Sequence, residues 1–100
     1  MSTWSLYLIR CNNKSLYTGI TTDVDRRFQE HQSNSPLGAK YLRGKGPLEL
    51  VFQTEVGSRK KASIAEAEVK KRSKIEKEAL IKGMDTLDQI MQIKAERDCS

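Results

Sequence analysis

Two cysteines, Cys11 and Cys99, are all that the 100 residues contain, and they stand too far apart for a Cys-x-x-Cys pair. No apolar run is long enough to cross a bilayer. The opening Met1-Ser2-Thr3-Trp4 lacks the basic-then-apolar layout of a secretory leader. Two reduced thiols in a cytoplasmic protein are therefore expected rather than a disulfide. Repeats, low-complexity tracts and domain linkers are also missing. The chain is short enough for one domain with a modest core. A hydrophobic fraction of 37% beside 31% charged residues describes a globular protein, neither disordered nor membrane-embedded.

Acidic residues are the minority charge. The net charge is +5 and the pI about 9.4, a balance that suits an anionic partner. The surplus is concentrated from Lys40 to Lys82, with twelve Lys and Arg against six Glu, whereas residues 83–100 carry a net charge of −2. Solvated helix faces would produce the same excess, so charge alone does not establish nucleic-acid binding.

Residues 4–11 alternate in polarity, as do 16–22, and Asn12-Asn13-Lys14 between them reads as a turn. If even positions face even positions across this hairpin, Trp4, Leu6, Leu8, Leu16 and Ile20 make one apolar face. The other face then carries Tyr7, Tyr17 and Gly19, and is expected to be polar and sparsely filled. Such pairing needs a loop of odd length, three residues with a bulge. Thr22 and Asp25 suggest a capping box opening a helix to about Gln32, with Val24, Arg27, Phe28 and His31 on one side.

Ser33 to Pro47 is punctuated by proline and glycine and reads as a loop with one short helical turn near Ala39–Leu42. Leu48 to Val56 predicts a third strand. Gly57-Ser58 opens a helix with Ala62, Ala65, Glu66 and Val69 on its inner face. Ser73 and Glu76 cap another, with Ile75, Ala79 and Leu80 inward. Leu87, Ile90, Met91 and Lys94 allow a last amphipathic helix. The order β-β-α-β-α-α implies an α+β fold, a three-stranded antiparallel sheet packed with helices.

Several residues exceed what packing requires. Tyrosine is good strand material, yet Tyr7 and Tyr17 fall together on the face opposite the grease. Gly19 weakens a strand interior, and marks either a bulge or a close approach by backbone or ligand. Arg27 and His31, spaced i and i+4, offer a guanidinium and an imidazole to one point in space. Glu66 is expected on a buried face, where a carboxylate calls for a metal or for an ion-pair partner such as Arg27 or Lys70.

These residues together resemble the GIY-YIG nucleases, named for a Gly-Ile-Tyr and a Tyr-Ile-Gly motif on one hairpin. Ser5-Leu6-Tyr7 resembles the first motif and Tyr17-Thr18-Gly19 the second. The Arg-x-x-x-His step is Arg27-Phe28-Gln29-Glu30-His31, and the later helical glutamate is Glu66. Lys40-Tyr41 after Gly38-Ala39 resembles the small stand-alone bacterial (YhbQ-like) subfamily. Ser5, Leu6 and Thr18 depart from the motif letters at positions that carry no acid, base or ligand atom. The likeness spans residues 4–82; it implies a nuclease-like domain at 1–82 and a tail at 83–100 that is available to a protein partner.

The resemblance implies in-line hydrolysis of a nucleic-acid phosphodiester, DNA in the first place, with one divalent ion, Mg2+ or Mn2+, held by Glu66. Tyr7 is favoured as general base with Tyr17 orienting water or phosphate, and the exchange of those roles stays open. Arg27 would stabilise transition-state charge, and His31 would hydrogen-bond a tyrosine or relay its proton. Gly19, Lys40, Arg43, Lys60 and Lys70 are the expected nucleic-acid contacts. The alternative is a non-catalytic nucleic-acid-binding module in DNA repair or processing.

Overall fold

A computed structural model describes residues 3–33 and 47–83. The loop expected at 34–46, with its helical turn, and the amphipathic helix expected after Gly83 lie outside the described residues. So does Cys99. Within them the order is β1 (Trp4–Arg10), β2 (Leu16–Thr21), α1 (Val24–Gln32), β3 (Glu49–Gly57), α2 (Arg59–Lys70) and α3 (Lys74–Ile81). The strands form one antiparallel sheet in the order β2-β1-β3. This is the α+β arrangement expected from the pattern.

The β1–β2 register pairs Leu6 with Ile20, Tyr7 with Gly19 and Leu8 with Thr18. Cys11 N–H donates to Ser15 O at 2.9 Å, and Lys14 N–H donates to Cys11 O at 2.9 Å. The loop proper is thus Asn12-Asn13-Lys14, the odd length that parity demands. Lys14, not an asparagine, takes the left-handed conformation, with φ 68°. Asn13 instead braces the turn from its side chain, accepting from Ser15 N at 3.1 Å and Ser15 Oγ at 2.7 Å.

Each face of the sheet has its own core. On one, Leu6 and Leu8 pack with Ala65, Val69 and Leu80, and Ile20, Val51, Phe52, Val56 and Ile81 close around them. On the other, Tyr7, Ile9, Cys11, Val24 and Leu48 are buried, with Tyr17, Phe28 and Leu50 against them. The expectation of a sparsely filled second face is therefore corrected. Ile9 and Cys11 lie on it beside the tyrosines, and α1 supplies Val24 and Phe28 to cover them.

Helix starts follow local chemistry. Asp23, not Thr22, caps α1, its carboxylate accepting from Arg26 N at 3.1 Å. Ser58 caps α2, and Ser73 with Glu76 forms the capping box of α3. Ile75 is 82% exposed, against the expectation that it turns inward. Five residues at about 100° each place Ile75 well around the helix from Leu80, and Leu80 is the side chain the core accepts. Gln32, at the end of α1, accepts from Leu48 N at 3.0 Å and donates to Leu48 O at 3.5 Å. This clip ties the helix to the entry of β3.

Candidate active site

Tyr7 points from the central strand toward α1, and two facts of the sequence let it. Gly19 is its cross-strand partner, and a Cβ built there would lie 2.5 Å from Tyr7 Cζ and closer still to Oη. The phenol occupies the space that a side chain on β2 would take. Above it, helical spacing brings His31 onto the same spot. Tyr7 Oη and His31 Nε2 are 3.0 Å apart, and both residues are almost wholly buried.

Tyr17 completes a ring triad. Its centroid is 6.4 Å from that of Tyr7 and 5.6 Å from that of His31, and the Tyr7–His31 separation is 6.0 Å. Tyr17 keeps more solvent exposure than Tyr7. Arg27, one helical turn before His31, lies close enough to the Tyr7 hydroxyl for its charge to favour the phenolate. Its Nη1 also donates to Glu30 Oε1 at 3.1 Å.

Burial sets the electrostatics here. It pushes the Tyr7 phenol up to about 12, helped by the neighbouring Tyr17, and Arg27 offsets only part of this. Tyr17 is raised for the same first cause. His31 is brought down to about 4, by burial first and by the Arg27 charge second. At neutral pH the pair is thus a protonated phenol beside a neutral imidazole. The phenol can donate to Nε2 when the ring proton is on Nδ1. Arg27 stays charged: burial opposes this, and its interactions with Glu30 and Tyr7 outweigh the burial.

Glu66 lies close enough to raise both phenols. It is not buried as expected. The inner stripe of α2 is centred on Ala65 and Val69, with Glu66 on one margin and Glu68 on the other. Glu68 is the buried one, 4% exposed, while the Glu66 side chain keeps 26% and sits 3.7 Å from Lys70 Nζ. Among the described residues there is no cluster of three or more His, Cys, Asp or Glu that could hold a metal. A single carboxylate open to solvent fits a hard cation that keeps most of its waters.

Tyr7, Tyr17, Arg27, His31 and Glu66 are thus brought within one electrostatic neighbourhood. Gly19 is buried beneath the Tyr7 ring and offers no surface to nucleic acid; its missing side chain makes room for the phenol instead. Lys60 and Lys70 are exposed on α2, and Lys40 and Arg43 lie outside the described residues. Glu30 was not singled out from the sequence, although its i+3 and i+4 spacing from Arg27 and Arg26 was there to be read.

The GIY-YIG catalytic domain profile matches residues 3–79. The chain belongs to the GIY-YIG family. A UPF0213 protein of Vibrio cholerae is 53% identical over 90 residues, covering 89% of this chain and 87% of that protein. The UPF0213 protein YhbQ of Escherichia coli K12 is 57% identical over 81 residues, covering 81% and 79%. Among solved structures, the solution NMR structure of the UPF0213 protein BH0048 from Bacillus halodurans is similar, with 44% identity and a TM-score of 0.51 over 80% of this chain and 83% of that one. This GIY-YIG chain therefore resembles small stand-alone bacterial proteins whose names state a family and no reaction. No helix among its described residues is long and apolar enough to cross a membrane.

Proposed function

We propose that this GIY-YIG protein is an endonuclease that hydrolyses nucleic-acid phosphodiesters, DNA being the substrate, with one magnesium or manganese ion. One observation carries the reading: the Tyr7 hydroxyl lies 3.0 Å from His31 Nε2, beside a second phenol and within reach of the Arg27 and Glu66 charges. Simple packing does not require a phenol, an imidazole, a guanidinium and a carboxylate at one point.

Glu66 would hold the ion, its carboxylate being the kind of oxygen ligand a hard cation prefers. Bound there, a divalent ion supplies positive charge that lowers the phenols, polarises the phosphate and stabilises the leaving oxygen. Arg27 stabilises the negative charge that builds on the phosphate oxygens. The substrate's own negative charge raises His31, so the two ends of the Tyr7–His31 hydrogen bond approach each other in proton affinity. Tyr7 then takes a proton from the attacking water while passing its own to Nε2. The water oxygen bonds phosphorus, the bond to the leaving oxygen breaks, and the imidazolium afterwards returns its proton to solvent or to the leaving group. Tyr17, the more open phenol, orients water or phosphate. Exposed Lys60 and Lys70 steer the strand, Lys40 and Arg43 join them, and the tail at 83–100, outside the 1–82 nuclease unit, is left for a protein partner in the cytoplasm.

Labelled linear, nicked and branched DNAs and an RNA, each incubated with and without magnesium, test this directly. Magnesium-dependent cutting of a DNA is the expected result. Salt-sensitive binding with no cutting of any substrate would favour a binding module instead.

A further inference from the structure

Beside His31 on α1 lies a carboxylate that the proposed reaction does not use. Glu30 accepts from Arg27 Nη1 at 3.1 Å and lies 3.5 Å from Arg26 Nε. Its side chain is 19% exposed, less than either cation, at 31% for Arg27 and 75% for Arg26. Exposed ion pairs on a helix are usually weak, because two long side chains must give up freedom to meet. Here the carboxylate is largely withdrawn from solvent, and Arg27 is itself mostly covered where it neighbours Tyr7. A guanidinium is a rigid planar fork. Holding its Nη1 on Glu30 anchors that fork from the side of α1 and limits how it can turn beside the Tyr7 hydroxyl.

We propose that Glu30 is a positioning residue for the reaction: it fixes the Arg27 guanidinium against the Tyr7 hydroxyl, so that Arg27 meets the phosphate in one orientation. The role in turnover rests on the nuclease reading of the site. It separates two effects that usually move together. Without the Glu30 charge, α1 becomes more positive and attraction for a polyanion does not fall, while the guanidinium loses its fixed direction and the chemical step slows.

The test compares the full-length wild type with Glu30→Gln and the conservative Glu30→Asp, in two measurements, with melting temperatures recorded to exclude loss of fold. In the substrate-free protein, the Arg27 side-chain N–H resonance is followed by 15N NMR and assigned by its disappearance in Arg27→Lys. It is expected to be resolved and slowly exchanging in wild type, averaged toward free arginine in Glu30→Gln, and restored in Glu30→Asp. In turnover of labelled DNA with magnesium, Glu30→Gln should lower kcat about 10- to 100-fold, the scale of a misplaced catalytic group. KM should stay level or fall, and Glu30→Asp should recover part of kcat. An unchanged Arg27 resonance in folded Glu30→Gln overturns the proposal, as does an unchanged kcat. If the wild type cuts no nucleic acid, the nuclease reading fails and the role in turnover with it, while the NMR arm still decides whether Glu30 fixes Arg27.

Discussion

Gly19 and Tyr7 face each other across the β1–β2 ladder, and the phenol lies in the volume that a side chain at position 19 would fill. The Tyr7 ring is 1% exposed. Gly19→Ala gains about 0.5–1 kcal/mol from a stiffer backbone, but overpacking a closed core costs roughly 1–3 kcal/mol. The clash should win. A lower unfolding midpoint in denaturant, together with loss of cleavage, is expected; a more stable Gly19→Ala protein would show that the ring has other room.

Removing single hydroxyls separates the tyrosines. Tyr7→Phe strips His31 Nε2 of its 3.0 Å partner and should cost about 1–3 kcal/mol of stability through a buried group left unpaired. If Tyr7 is the base, kcat falls by roughly 10²- to 10⁴-fold. Tyr17→Phe should act more on KM than on the chemical step. Single-turnover rates of the two variants decide between the assignments, and the reverse pattern would exchange the roles.

The pH dependence of stability follows from the two buried rings. His31 is lowered from 6.5 to about 4, so between those values the unfolded chain binds more protons than the folded one. Stability should therefore fall as the pH drops from about 6.5 toward 4. Glu78, lowered by its hydrogen bonds from Arg10, adds a loss in the same direction below the usual carboxylate range. Tyr7 is raised from 10.0 to about 12, so its contribution is complete below pH 10.0 and disappears as the pH rises toward 12. Denaturant midpoints across this range should trace a plateau between the two slopes. Because the sequence contains one histidine, its imidazole NMR signal is unambiguous, and a midpoint near 6.5 would remove the acid limb.

Glu66→Gln tests the metal. The substitution weakens the 3.7 Å approach of Lys70, an exposed pair worth about 0–1 kcal/mol, so fold and DNA binding should persist. Loss of an ion's stabilisation of the transition state could raise the barrier by several kcal/mol. A folded Glu66→Gln protein cutting DNA at the wild-type rate would end the metal assignment.

Much of this arrangement was legible because it depends on period and parity. Even-with-even pairing required a three-residue loop and put Tyr7, Tyr17 and Gly19 on one face. Helical spacing aligned Val24, Arg27, Phe28 and His31. The readings that failed depend on what packs against an element. Nothing local reveals that α1 seals the tyrosine face, or that the sheet accepts Leu80 and leaves Ile75 to solvent. On α2 the stripe of small and branched residues was correct, but which flanking glutamate sinks depends on where the helix rests. At Gly19 the pattern leaves a bulge or a close approach by backbone or ligand open, and what comes close is the ring of the cross-strand neighbour.

The two hydrogen bonds between the Gln32 amide and Leu48 close the chain at both ends of the stretch from 33 to 47. Their effect is to close a loop with a side chain in place of a ladder. One end of the stretch is pinned next to His31 and the other at the entry of β3. Doubling its length would cost only about 0.6 kcal/mol of closure entropy. The position of His31 relative to the start of β3 is thus set by two side-chain hydrogen bonds and not by the chain that runs between them.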